Sequence, residues 1–280
     1  MRKFVRFLFF ICLLNVSKIC YNTQNTKNLQ GRVIQMFDNV GLPIQKKCAV
    51  AFIDLLAVSH KIEVDSQWAL NSVWLFYSYL TEEIKSFENV KYKIFSDNIL
   101  ICEEIDEKNP QQAIFDIFAI VEKVEFFMMK IGALFVRGSI AVDDLHYSEN
   151  FVYGKALLKT YKLESKIAKY PRVIIDESII DIIRKEDLPI LQDDDNQYYY
   201  DFLQARISQG GERLSQELAT LRGNILVNLS TKNIKLEIIE KMEWLINYYN
   251  SSCVKNGLRQ RITIETLARF KIDTSNIHID

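Results

Sequence analysis

Ala49-Val50-Ala51-Phe52-Ile53-Asp54, running on into Leu55-Leu56-Ala57-Val58-Ser59, reads as a buried strand that ends on one carboxylate and breaks into a short loop. A helix is expected to start near Ser66. A carboxylate at the C-terminal end of a central strand, beside loop amides and a helix start, can hold a metal and a polyphosphate. Strand ends often carry an Asp with no chemical role, so the meaning of Asp54 depends on its partners.

Working outward, the helix is predicted over residues 66–87, with Ala69, Val73, Phe76, Tyr77, Leu80 and Ile84 on one face. A strand over 90–95 and another over 99–102, joined by Ser96-Asp97-Asn98, read as a hairpin. A second long helix spans 110–131, with Ile114, Ile117, Val121, Val124, Met128 and Ile131 in register. A strand follows over 133–142, then a loop over 143–150 and a short edge at Phe151-Val152-Tyr153. The next helix opens at Gly154 and ends before Pro171, which feeds a strand over 172–175. A short helix over 176–185 precedes the turn Asp193-Asp194-Asp195-Asn196, read as solvated, and a strand over 198–203. The remainder is mostly helical, with a stripe at Ile234, Ile238, Met242, Leu245 and Tyr249. The order βαββαβ with a further αβ predicts an α+β fold, a ferredoxin-like split core with an antiparallel-rich sheet and a helical C-terminal extension. The corresponding division is 1–27 as an N-terminal apolar and linker segment, 28–204 as the core domain and 205–280 as the extension.

Composition sets bounds on partners. The chain has 280 residues, 49% hydrophobic and 25% charged, which suffices for a sizeable core without metal or disulfide support. A net charge of −1 gives no whole-chain attraction to nucleic acid or anionic membrane. Cys12, Cys20, Cys48, Cys102 and Cys253 are scattered without CxxC spacing, which points to reduced thiols rather than zinc or disulfides. Met1 to Arg6 is basic and Phe7 to Val16 apolar, but a small-x-small cleavage pattern is missing and the run is short for a span. A signal or anchor, a membrane-surface segment and an appendage to the folded domain all remain open, the last being preferred. Any membrane contact is expected through this segment alone.

Asp97, on the hairpin turn that flanks the first strand, is the expected partner of Asp54. Two carboxylates with a backbone carbonyl, expected from Leu55, suit one or two Mg²⁺ or Mn²⁺ ions. Such a pair supports in-line phosphoryl transfer on a nucleoside triphosphate. Arg137 has two readings, a structural ion pair with Asp54 or another acid, or part of the phosphate or metal site. Glu164 is likewise open between facing the cleft and a salt bridge. Lys155, Lys159, Lys162 and Lys166 give a basic helix, read mainly as a solvated face.

Four segments resemble the class III nucleotidyl cyclases, in that family's order, over roughly residues 47–203. Phe52-Ile53-Asp54-Leu55-Leu56-Ala57-Val58-Ser59 is similar to the first metal motif and Lys93-Ile94-Phe95-Ser96-Asp97 to the second. Arg137-Gly138-Ser139-Ile140 falls at an Arg-containing strand. Val152-Tyr153-Gly154 and the helix to Leu163-Glu164-Ser165 fall at the segment for base and transition-state binding. The resemblance implies a nucleotidyl cyclase core, a head-to-tail homodimer with interfacial sites, and two-metal attack of a 3′-hydroxyl on the α-phosphorus with loss of pyrophosphate. It makes Asp54 and Asp97 metal ligands and Lys93 a base contact. It also exposes departures: Leu158 stands at the family's transition-state Asn, Lys162 at its Arg, Phe151 at the Asp that helps select adenine, and Ala57 at a loop glycine. Two outcomes follow from these. One is a cyclase with altered base choice, similar to the bacterial pyrimidine cyclases of anti-phage defence that use UTP or CTP. The other is a non-catalytic binding module on the same fold. A nucleoside triphosphate substrate implies a cytoplasmic location.

Overall fold

A computed structural model describes residues 36–56, 58–131, 135–183, 188–230, 235–275 and 277–279. The N-terminal apolar run, Ala57, residues 133–134 and Ile234 lie outside the described residues. The chain divides into two compact units, residues 1–44 and 45–280. In the first, Asp38 Oδ1 accepts from the amides of Val40 (3.0 Å) and Leu42 (2.8 Å), and Phe37 bridges to Pro43.

The second unit is built on β1 (Lys46–Leu56), whose interior residues Ala49, Val50, Ala51 and Ile53 are fully buried. Strands β2 (Lys91–Phe95), β3 (Asn98–Glu104), β4 (Phe135–Tyr147), β5 (Val152–Gly154), β6 (Val173–Ile175), β7 (Ile190–Gln192) and β8 (Tyr198–Tyr200) complete an open eight-stranded sheet. Its order is β2-β3-β1-β4-β6-β8-β7, with β5 paired to the far end of β4. The first four strands thus stand as β4-β1-β3-β2, the expected split βαββαβ arrangement. All pairs are antiparallel except β4 with β6. The helices are α1 (Val58–Val64), α2 (Ser66–Ile84), α3 (Pro110–Ile131), α4 (Lys155–Lys166), α5 (Glu177–Ile183), α6 (Phe202–Gln209), α7 (Leu214–Leu229), α8 (Leu236–Lys255) and α9 (Ile264–Arg269). Among the described residues no helix is long and apolar enough to cross a membrane.

Strand alternation divides the side chains of β1 between two layers. Ala49, Ala51, Ile53 and Leu55 enter the main core with Phe76 and Leu80 of α2, Ile114, Ile117 and Val121 of α3, and Leu221, Ile225, Leu245 and Tyr249 of α7 and α8. Residues 205–280 therefore share the hydrophobic core of the sheet. On the other face Cys48, Val50 and Phe52 pack with Leu100 and Cys102 of β3, Leu145 of β4 and Ala156 of α4. Cys48, Cys102 and Cys253 are free and buried, as their scattered spacing suggests.

Several elements differ from expectation for local reasons. Strand β4 continues to Tyr147 through the predicted loop at 143–150, because Asp143 and Asp144 stay paired with Cys48 and Lys47 of β1. The loop before Ser66 contains α1, whose seven residues are too few to display a helical period. Residues 201–203 leave the predicted strand: Asp201 accepts from the Gln204 amide and starts α6. The acidic turn is not simply solvated. Asp193 and Asp195 bind the guanidinium of Arg172, which is 1% exposed and lies 5.4–5.7 Å from the rings of Tyr170, Tyr199 and Trp244.

Candidate active site

Register brings the first pair together. Asp54 opposes Asn98 of β3, and the Leu55 amide donates to the Asp97 carbonyl at 3.0 Å, so the β2–β3 turn lies against the end of β1. Ser96, at φ 62°, makes that turn tight enough for the two-residue connection. Leu55 buries its side chain, leaving its backbone carbonyl as its oxygen donor.

Across β1, Asp54 opposes Arg137 of β4. Arg137 Nε donates to Asp54 Oδ2 at 2.9 Å and Nη1 to the Ala168 carbonyl at 3.3 Å. Its neighbour Gly138 is needed for close approach, since a Cβ there would stand 2.5 Å from the Phe52 carbonyl oxygen. Helix α4 supplies the third charged group. Ala156, Thr160 and Glu164, four residues apart, form its buried stripe, and the Thr160 carbonyl accepts from Ser139 Oγ at 2.7 Å. That small-residue contact seats the helix on β4 and places Glu164 Oε1 2.9 Å from Arg137 Nη2. The ion pair is not a directed hydrogen bond, and the buried Oε1 has no hydrogen-bond partner.

Burial raises the Asp54 carboxyl above its ordinary value, Arg137 opposes that rise, and the Asp97 charge adds to it. Glu164 is pushed up to about 7, first by burial, with Arg137 opposing and Asp54 and Asp97 adding. The negative charge of Asp97 thus repels both Asp54 and Glu164, and the Arg137 guanidinium lies between those two. Two carboxylates and a backbone carbonyl are hard oxygen donors of the kind Mg²⁺ and Mn²⁺ prefer, and a cation would relieve the repulsion. Among the described residues no three His, Cys, Asp or Glu side chains converge as a metal cluster.

The base-side candidates gather elsewhere. Lys93 Nζ donates to the carbonyls of Ser148 (3.1 Å) and Glu149 (2.6 Å) in the β4–β5 turn. Phe151 closes that turn and stacks on Tyr153, with ring centroids 6.0 Å apart and planes 8° from parallel. Leu158 and Lys162 lie one helical turn apart on the exposed face of α4, outside the Asp54 cluster. Lys159 is held by Asp176 at 2.6 Å, and Lys155 lies 3.7 Å from Asp144, so the basic helix is partly neutralised.

Several solved structures align with part of this chain. The adenylyl cyclase CyaB from P. aeruginosa aligns at 15% identity and a TM-score of 0.42, over 55% of this chain and 93% of that one. The guanylyl cyclase domain of the RhoGC fusion protein from the aquatic fungus Blastocladiella emersonii aligns at 14% identity and a TM-score of 0.44, over 56% and 95%. An adenylate/guanylate cyclase/hydrolase from Silicibacter pomeroyi aligns at 15% and 0.40, over 55% and 94%. No protein-family model and no curated protein matches the chain.

The Arg172 cluster had no signal in local sequence. Arg172 precedes the apolar strand β6, its carboxylates come 21 and 23 residues later, and Trp244 lies on α8. Ser139 and Thr160, which seat α4, were likewise unremarkable as sequence.

Proposed function

We propose that the chain is a nucleotide cyclase, forming a 3′,5′-cyclic nucleotide and pyrophosphate from a nucleoside triphosphate. The observation that carries this reading is the juxtaposition of Asp54 and the Asp97 turn through the Leu55 amide. Asp54, Asp97 and the Leu55 carbonyl would hold Mg²⁺ or Mn²⁺. Bound there, the cation supplies activation of the 3′-hydroxyl and charge neutralisation on the triphosphate. Arg137 holds Asp54 in place, and Lys162, outside the Asp54 cluster of its own chain, would meet phosphate from a second copy as a point charge without the bidentate geometry of Arg. Lys93 organises the turn that carries Phe151, and Phe151 presents an aromatic face where the resembling family has an adenine-selecting Asp. UTP or CTP is the substrate we favour on that account, in anti-phage signalling to a separate effector, in the cytoplasm where such nucleotides are found. Phe151, Tyr153 and Leu158 are 47%, 61% and 52% exposed, an apolar surface suited to burial in a head-to-tail homodimer.

The test is incubation of the full chain with each of the four ribonucleoside triphosphates and Mn²⁺, with cyclic product scored by mass spectrometry. Product is expected from at least one, and Asp54→Ala and Asp97→Ala should each abolish it. Activity surviving in either variant refutes the metal assignment. A second reading, a non-catalytic nucleotide- or partner-binding module, is favoured by the Asp54–Arg137 ion pair, which already gives the carboxylate a cation. Absence of product with all four nucleotides selects it.

A further inference from the structure

We propose that Glu164 is a positioning residue that receives the Arg137 guanidinium when Asp54 is engaged by a divalent cation. The inference rests on the assignment of Asp54 as a metal ligand. Arg137 stands between two carboxylates but serves them unequally. Its Nε points at Asp54 Oδ2 at 2.9 Å, whereas Nη2 lies 2.9 Å from Glu164 Oε1 without directing a hydrogen there. Glu164 is 4% exposed, so an unused acceptor on it is costly, and it is retained beside a guanidinium whose Nε and Nη1 are bonded elsewhere.

A cation on Asp54 would repel the guanidinium paired with the same carboxylate and weaken that pair. Arg137 needs a second place to go. Water is a poor one, because Nη1 is tied to the Ala168 carbonyl just beyond α4. A small rotation about that tether carries the guanidinium from Asp54 toward Glu164, whose Oε1 then gains a directed bond. Glu164 cannot retreat, because the Ala156–Thr160–Glu164 stripe is clamped to β4 through Ser139. Charge is conserved through the exchange: Asp54 passes from one cation to another, and Glu164 holds the one displaced.

The experiment titrates Mn²⁺ alone into the full chain and follows the loss of the free aquo-ion signal by electron paramagnetic resonance. Glu164→Gln should weaken Mn²⁺ binding, because the guanidinium has no acceptor to move to. Arg137→Gln should tighten it by removing the competing cation. Each shift is expected to be about tenfold, the scale of one buried charge contact. The double variant should match Arg137→Gln, since Glu164 matters only through Arg137. A static structural pair would weaken binding alike in both single variants, and that result, or wild-type affinity in Glu164→Gln, overturns the proposal. Should Glu164→Gln not fold by circular dichroism, Glu164→Asp, which shortens the reach of the carboxylate, must show the same direction. Asp54→Ala must lose the binding. No Mn²⁺ uptake by either wild type or Arg137→Gln sinks the metal site itself and the exchange with it.

Discussion

Ser96 holds a φ of 62° in the β2–β3 turn, a left-handed conformation that costs a residue with a Cβ about 1 kcal/mol. Ser96→Gly should therefore stabilise the protein by about 0.5–1 kcal/mol, read as a higher urea midpoint at unchanged slope. Asp97, one residue on, is held by its own carbonyl to the Leu55 amide and should keep its place. A second residue-scale consequence concerns pH. Glu103 of β3 is 4% exposed, and its carboxyl is pushed up to about 7 by burial and then by the neighbouring Asp116. Between the ordinary value of 4.5 and 7 the folded state keeps a proton that the unfolded chain has released. Stability is thus full below that window and falls as pH rises through it. Glu103→Gln should flatten the fall, by on the order of 1 kcal/mol at pH 8 once screening by solvent is allowed for. Thermal melts at pH 5 and pH 8 on both proteins check this. Glu164 and Glu125 are raised in the same direction, so the slope should shrink rather than vanish.

At the scale of elements, the β7–β8 hairpin and α8 are joined through Arg172. Asp193 accepts from both Arg172 and the Trp244 indole, the latter at 2.7 Å, and Trp244 stacks on Tyr170 at 5.6 Å. The Arg172 carbonyl in turn accepts from the Gly138 amide at 3.1 Å, next to Arg137. Replacing both carboxylates, Asp193→Asn with Asp195→Asn, leaves a buried guanidinium without a countercharge. The expected cost is about 3–5 kcal/mol in chemical denaturation. Trp244 fluorescence should shift to the red at a lower denaturant concentration than in wild type. Helix α3 shows the same logic in apolar form, with Phe127 stacked on Tyr79 of α2 at 3.9 Å and Phe118 against Tyr200 of β8 at 5.0 Å.

For the whole molecule, the helices after residue 204 complete the main core rather than decorate it. Leu218, Leu221, Ile225, Leu245, Ile246 and Tyr249 are all at most 2% exposed and belong to the cluster that includes Ile114 and Ile117 of α3. A chain ended at residue 204 would leave the facing surface of α3 in water. It should lose cooperative unfolding and bind a hydrophobic dye, while the full chain does neither. A cooperative melt of the shortened chain would show instead that residues 205–280 are a separable extension.

The sequence by itself determined the order of the main strands and long helices, though not α1 or β7. Continuous apolar runs in β1 and β3, polar-apolar alternation in β2, and helical stripes in α2 and α3 are local patterns that burial enforces residue by residue. It also located Asp54 and Asp97, because a strand end and a tight polar turn are read within six or seven residues. Tertiary structure decided what those carboxylates meet. Arg137 is 83 residues from Asp54, Glu164 is a further helix away, and only the β1–β4 register with the seating of α4 makes them one cluster. The same holds for Arg172, whose partners come from a hairpin and from α8. Ion pairs between distant segments leave no period in the chain, since their energy depends on burial and distance that exist only once the sheet and its helices have closed.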